Sequence, residues 1–269
     1  MTLAEVLNGA VDYLTARGVD TPRVDAELLL ARALGLQRIE LYTQHDRPLT
    51  EDERAAAREL VRRRGTREPL AYVLGDWDFR HLTLKTDRRA LVPRPETEIV
   101  VDRCLALIKD VSEPRLIDVG TGTGAIALAL KHERPDVRVT ATDRSADALA
   151  LAEENARANE LEIELLEADL LEGIAGPFDL VVSNPPYVGA DELGSLDPEL
   201  RYEPEDALVD RGQTRRLIET ARFGWLVLEV HEQRAQPVAA DLEQAGFSDV
   251  QVSRDLAGRD RIVEGRWIP

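Results

Sequence analysis

The four residues Asn184-Pro185-Pro186-Tyr187 combine groups suited to handling a planar nitrogen. Two consecutive prolines fix the backbone and remove amide donors, so the Pro185 carbonyl and the Asn184 side-chain oxygen are two acceptors at a rigid spacing. A planar NH2 group offers two matching donors. With both hydrogens engaged, its nitrogen faces an electrophile out of plane, and positioning supplies most of the acceleration. Against a methyl sulfonium the transfer runs in line, with Tyr187 lying on the flat face of the acceptor. An amide or aromatic amine is a poor nucleophile whose protons become acidic once the nitrogen is alkylated, so no strong general base is needed before attack, and none stands out in the sequence. Read as structure alone, the tetrapeptide is a Pro-Pro strand terminator with an incidental Asn and Tyr; the glycine loop upstream of it argues for chemistry instead.

That loop is Asp118-Val119-Gly120-Thr121-Gly122-Thr123-Gly124. It ends an apolar strand and opens a helix, at the sheet edge where doubly wound folds bind ligands. Alternating glycines let the backbone approach a ligand and cost entropy without packing gain. Gly120-x-Gly122-x-x-Ala125 also satisfies the dinucleotide fingerprint, so the loop alone does not separate a nicotinamide dehydrogenase from an S-adenosylmethionine-dependent methyltransferase. Asp143 follows the second strand roughly 20 residues on, where a carboxylate accepts from the ribose hydroxyls that both cofactors carry. Its bland alternative is a helix N-cap for the segment near Ser145. Asp169 is expected at an adenine amino group with Leu170 against the ring, an ordinary loop acid and core leucine being the alternative. Asn184 to Tyr187 have no role in a dehydrogenase, which favours methyl transfer.

The elements that position these residues follow from periodicity. Leu3, Val6, Leu7, Ala10, Val11 and Leu14 recur at helical spacing before Gly18; a second helix follows Thr21-Pro22 and stops at Gly35; Thr50-x-x-Glu53 is a capping box opening another. From Trp77 to Leu91, Phe79, Leu82 and Leu84 alternate with polar residues, which predicts a short bridging hairpin. Beyond residue 96 a helix precedes strand-helix repeats: strands over 115–119, 137–142, 162–166, 178–183 and 225–230, helices over 124–131 and 145–159. Strands 250–254 and 261–267 are separated only by Asp255-Leu256-Ala257-Gly258, too short for a crossover, and therefore pair antiparallel. The reading is an α/β, Rossmann-like sheet, mostly parallel with an antiparallel C-terminal hairpin, behind a small N-terminal helical bundle: 1–75 helical domain, 76–95 hairpin linker, 96–269 methyltransferase domain.

The 269 residues suit one large and one small domain. A formal net charge of -17 makes free DNA a poor partner, because the field repels a phosphate backbone. The run Arg62-Arg63-Arg64 with Arg67 is the local exception, read first as a helix C-terminus complementing the dipole. No stretch approaches the roughly 18 apolar residues of a membrane span, and the acidic, unsignal-like start Met1-Thr2-Leu3-Ala4-Glu5 places the chain in the cytoplasm. A single cysteine, Cys104, leaves no disulfide framework or zinc cluster and is expected buried; no metal and a monomeric state are expected.

Five segments in order resemble the peptide chain release factor glutamine methyltransferases, the HemK or PrmC family: Glu68 to Gly75, Leu91-Val92-Pro93-Arg94-Pro95-Glu96-Thr97-Glu98, Asp118 to Leu130, Ser183 to Tyr187, and Arg254 to Arg261. The resemblance implies S-adenosylmethionine as methyl donor and, as acceptor, the glutamine of the Gly-Gly-Gln tripeptide in class I release factors. It implies that the helical domain helps grip the factor. It further implies cofactor contacts from Gly120 to Gly124, Asp143, Asp169-Leu170 and Asn184, acceptor contacts from Asn184 to Tyr187, and a pocket shared by Phe79 and the Arg94-Glu96 segment. Phe79 reads equally as hairpin core, and Glu96 as a helix N-terminal acid. Between Asp210-Arg211-Gly212 and Phe223-Gly224-Trp225 the chain is shorter than that family leads one to expect, which predicts a truncated helix. The rival is an adenine or guanine amino methyltransferase, served by the same acceptor pair after base flipping; the acidic balance and the lack of a target-reading domain speak against it. A catalytically silent binding protein is the third reading.

Overall fold

Helix starts read from the sequence are present as hydrogen bonds in the computed structural model, which describes residues 1–268. Thr50 N–H donates to the Glu53 carboxylate at 2.8 Å while Glu53 N–H donates back to Thr50 Oγ1 at 3.2 Å, and Thr2 with Glu5 forms a second such box. Each satisfies two amides that a helix start leaves unpaired. The chain divides into two compact units, Met1–Asp76 with Asp197–Tyr202, and Trp77–Leu196 with the chain from Glu203 on.

The smaller unit holds α1 (Leu3–Ala16), α2 (Pro22–Leu34), α3 (Glu40–Thr43), α4 (Glu51–Gly65) and α5 (Leu70–Leu74). Leu3, Leu7 and Leu14 of α1 bury against Leu29 and Leu30 of α2 and Val61 of α4. Ionic contacts absorb the basic run. Arg62 pairs with Glu59 at 2.7 Å, Arg63 with Glu68 at 2.7 Å, and the buried Arg64 with Asp25 at 2.6 Å. Glu199, from the returning segment, takes Arg64 at 3.0 Å and Arg67 at 2.6 Å, and Tyr202 Oη donates to the Thr66 carbonyl at 2.8 Å.

The larger unit opens with the hairpin β1 (Asp76–Phe79) and β2 (Leu82–Lys85), then α6 (Thr97–Leu107), β3 (Arg115–Val119), α7 (Ala125–Glu133), β4 (Arg138–Asp143), α8 (Ala146–Ala158), β5 (Glu164–Glu167), β6 (Leu180–Ser183), α9 (Glu205–Leu208), α10 (Gln213–Thr220), β7 (Trp225–Glu229), α11 (Ala235–Gln244), β8 (Ser248–Arg254) and β9 (Asp260–Arg266). The hairpin strands end short of the Leu91 expected for them. Seven strands form one sheet in the order β5-β4-β3-β6-β7-β9-β8, with β9 antiparallel to both neighbours and the rest of the pairs parallel. Parallel strands covered on both faces must be apolar on both, and they are. Leu116, Leu180 and Val182 face a core with Val100, Val101 and Cys104 of α6 and Leu128 of α7. Ile117, Val119 and Val181 face the other core, with Leu217 and Ile218 of α10 and Leu242 of α11. Strand order reverses between β3 and β6, so a crevice opens beyond their carboxyl ends.

The segment before β7 holds an eight-residue helix, α10, and buried Leu217, Ile218 and Ala221 fill the space behind the sheet. On β9, the buried Glu264 takes Arg103 of α6 through two bonds of 2.9 and 2.5 Å. Removing one partner of such a pair strands the other charge. Arg103 keeps partial solvent contact, which moderates the cost, so Arg103→Ala is expected to lose about 2 kcal/mol in urea denaturation; an unchanged midpoint would show that water relieves Glu264. Among the described residues, no helix is long and apolar enough to cross a membrane.

Candidate active site

The glycine loop leaves β3 in a conformation that side chains resist. Gly120, Gly122 and Gly124 have φ of 74°, 56° and 84°. A Cβ on Gly124 would also stand 3.1 Å from Leu128 Cδ1 of α7 and 3.3 Å from Ala152 Cβ of α8, so that glycine lets the start of α7 pack closely against α8. The amides of Gly120 and Thr121 both donate to the Thr142 carbonyl, at 2.8 and 2.9 Å, tying the loop to β4. Thr121 Oγ1 donates to Asp118 Oδ2 at 2.6 Å. Asp118 Oδ1 is buried without a partner, and burial pushes this carboxyl up to about 7 against the pull of Thr121.

Asp143 ends β4. One of its oxygens accepts the Gly122 amide at 3.0 Å, the other the Ser145 amide at 2.9 Å, and burial raises its pKa against those bonds. Each carboxylate oxygen therefore keeps acceptor capacity. The helix cap is Ser145, whose side chain accepts the Ala148 amide at 3.2 Å, which frees Asp143 from that alternative role. Asp169 and Leu170 follow β5. Leu170 has φ 57°, and the Asp169 carboxylate is paired with Arg216 at 2.8 Å, so any ligand there shares it with that guanidinium.

Asn184-Pro185-Pro186 leave β6 beside β3, as the order of the sheet requires. One cavity of about 260 Å³ is lined by Gly120, Thr121, Gly122, Thr123, Asp143, Asp169, Leu170, Asn184, Pro185 and Pro186 together. That is near the lower end of small-molecule clefts, about 300 Å³. Gly124, as a packing glycine, is outside the lining. Tyr187 is also outside it, with its ring 6.1 Å from that of His231. Phe79 is not brought to the site: it is 1% exposed in the core with Leu82 and Leu84, because hairpin alternation turns it inward. Of the Arg94-Glu96 segment, Arg94 lines the cavity and Glu96 does not.

Three residues at the site escaped sequence reasoning. Thr97, at the start of α6, is 4% exposed, lines the cavity, and its Oγ1 lies 3.4 Å from Asn184 Nδ2. Glu229 ends β7. The β6–β7 register pairs Ser183 with Leu228, which sets Glu229 level with Asn184 at the sheet edge. Burial pushes its carboxyl up to about 7 while the nearby Thr97 hydroxyl pulls it down, and among the described residues its Oε2 has no partner. A carboxylate closing the apolar strand Trp-Leu-Val-Leu was the readable signal. Glu203, also buried, accepts the Val92 amide at 3.1 Å and the Arg94 guanidinium, bracing the segment before α6. Across the cavity mouth Arg144 pairs with Asp206 at 3.2 Å.

A family model described as the PrmC N-terminal domain matches residues 5–75, and one described as the methyltransferase small domain matches 101–219. A release factor glutamine methyltransferase of Deinococcus radiodurans is 41% identical to this chain, over 99% of each. The chain belongs to the release factor glutamine methyltransferases. A second such enzyme, from Geobacter sulfurreducens, is 39% identical over 98% of this chain and 96% of its own. The first family match spans α1 to α5, and the second contains both the glycine loop and Asn184 to Tyr187. Among solved structures, the hMettl16 catalytic domain in complex with a 3'UTR hairpin shares the fold at a TM-score of 0.59 and 17% identity, over 78% of this chain and 81% of that one.

Proposed function

We propose that this chain transfers the methyl group of S-adenosylmethionine to the side-chain nitrogen of the glutamine in the Gly-Gly-Gln motif of class I release factors. The observation that carries the reading is the single cavity shared by the glycine loop, Asp143 and Asn184-Pro185. The residues present fit the donor: Asp143 lines the cavity and retains acceptor capacity for ribose hydroxyls. Gly120 to Thr123 line its site, with Asp169 and Leu170 at the adenine end.

Asn184 Oδ1 and the Pro185 carbonyl accept the two hydrogens of the acceptor amide, and its nitrogen then faces the methyl carbon. When bound, S-adenosylmethionine would supply an electrophilic methyl, the N–CH3 bond forming as the CH3–S bond breaks to leave a neutral thioether, and the proton the nitrogen then loses would pass to solvent water. Alignment of the two partners supplies most of the rate, as in other near-attack geometries. Tyr187 stands by the acceptor, and the helical unit grips the rest of the factor. The enzyme acts as a monomer in the cytoplasm, where translation ends.

Purified protein is expected to move labelled methyl from S-adenosylmethionine to a release factor, and changing the factor's Gly-Gly-Gln glutamine should abolish uptake. Label entering DNA or RNA, with none on the factor, would overturn the acceptor assignment.

A further inference from the structure

An Asn side chain can present either its oxygen or its NH2 to a ligand, and only the oxygen suits an acceptor NH2. What decides the rotamer of Asn184 must lie behind it. Thr97 stands there, with Oγ1 3.4 Å from Asn184 Nδ2, a long hydrogen bond. Thr97 also faces the Glu229 carboxyl and favours its ionised form; that carboxyl is 2% exposed and, among the described residues, its Oε2 is unpartnered. The three residues come from the exit of β6, the start of α6 and the end of β7.

A hydroxyl has one hydrogen to give. An ionised Glu229 can only accept, so Thr97 donates to it and has only lone pairs left for Asn184. Asn184 must then turn its NH2 to Thr97 and its Oδ1 to the cavity. With a proton on Glu229 the chain can run the other way: Glu229 donates to Thr97, Thr97 donates to Asn184 Oδ1, and the Asn184 NH2 faces an acceptor that has only hydrogens to offer.

We propose that Thr97 and Glu229 are positioning residues for methyl transfer, forming a hydrogen-bond relay whose polarity fixes the Asn184 amide with its oxygen toward the acceptor. The inference rests on the reading of Asn184 as the holder of the acceptor amide. Charged and titratable groups facing Glu229 are Arg261 from β9, Arg94 and Glu96 ahead of α6, and Tyr187 beyond β6. Arg261 and Arg94 favour its ionised form, Glu96 and burial oppose it, and Asp255, 3.5 Å from Arg261, shares that guanidinium. The balance pushes the carboxyl up to about 7, so both polarities of the relay fall within the pH range an assay can cover.

The test uses the full chain, labelled S-adenosylmethionine and a release factor, with kcat and KM measured from about pH 5.5 to about pH 9, where a single ionisation shows as a limb of unit slope. The unsubstituted enzyme is expected to lose kcat below about pH 7. Thr97→Val keeps the shape and removes the hydroxyl: its kcat should fall by at least about tenfold, with S-adenosylmethionine affinity held within about threefold, while Thr97→Ser restores kcat to within about threefold. Glu229→Gln cannot titrate, so in an Asp118→Asn background, which silences the other carboxyl pushed up to about 7, its acid limb should vanish. Retained cofactor affinity in calorimetry separates these effects from misfolding, and Glu229→Gln carries the test if Thr97→Val does not fold. Unchanged kcat in Thr97→Val, or an acid limb that persists when Glu229→Gln is combined with Asp118→Asn, overturns the relay. Failure of the underlying reading looks different: Asn184→Ala would then transfer methyl to the factor at the ordinary rate.

Discussion

Asn184→Ala is expected to keep S-adenosylmethionine affinity within about tenfold, roughly 1.4 kcal/mol, while turnover drops by about a hundredfold or more. The asymmetry follows from where the side chain sits. Asn184 lines the cavity at the Pro185 side, whereas the loop amides, Asp143 and Leu170 line it independently of Asn184. On the proposed reading, truncation removes one of two acceptors that orient the nitrogen, a loss felt when the methyl moves rather than when the donor binds. Titration calorimetry for the donor and single-turnover transfer to the factor give the two numbers separately. Equal losses in both would mean that Asn184 belongs to the donor's site and that the acceptor is held by something else.

Asp143→Asn is the second large effect, and it should show the opposite split. Both Asp143 oxygens accept backbone amides, from Gly122 at 3.0 Å and Ser145 at 2.9 Å. An asparagine of the same shape offers one oxygen and one NH2, so a buried amide donor meets another donor, which costs about 1–3 kcal/mol. The Gly122 amide is one of the two at stake, and with it the shape of the loop. Donor affinity is expected to weaken by about tenfold to a hundredfold, with kcat at saturating donor much less altered. A dissociation constant for S-adenosylmethionine unchanged from the parent would remove Asp143 from the donor's site.

Local rules made the framework readable. β3 runs over Arg115–Val119 as periodicity and the following glycines require, Ser145 caps the helix anticipated there, and Gly35 ends α2 in the left-handed region. The glycine loop, Asp143 and Asn184 were legible because each sits at the end of an apolar strand, and the parallel order of such strands gathers their ends in one crevice. Residues whose meaning depends on pairing across the sheet were not. Glu229 matters because β7 lies against β6, and Thr97 because α6 begins beside that edge; neither neighbour is visible within a sequence window. Phe79 had two readings, a pocket residue by the family resemblance and a core residue by hairpin alternation, and it lies in the core with Leu82 and Leu84. The arginines of 62–64 and 67 were read first as a helix end, and their carboxylate partners, Asp25 and Glu199 among them, lie too far along the chain to be guessed.

Those partners also bear on how the chain can be cut. Residues 197–202 are held by Arg64, Arg67 and Thr66, so the stretch linking Tyr187 to α10 draws part of its anchorage from the first quarter of the polypeptide. Expressing only residue 77 onward would release Glu199 and Tyr202 from every one of those anchors, leaving the strand exit that carries Asn184 joined to a slack tether. A gene product shortened in this way would forfeit control over the path its polypeptide takes after Asn184-Pro185-Pro186.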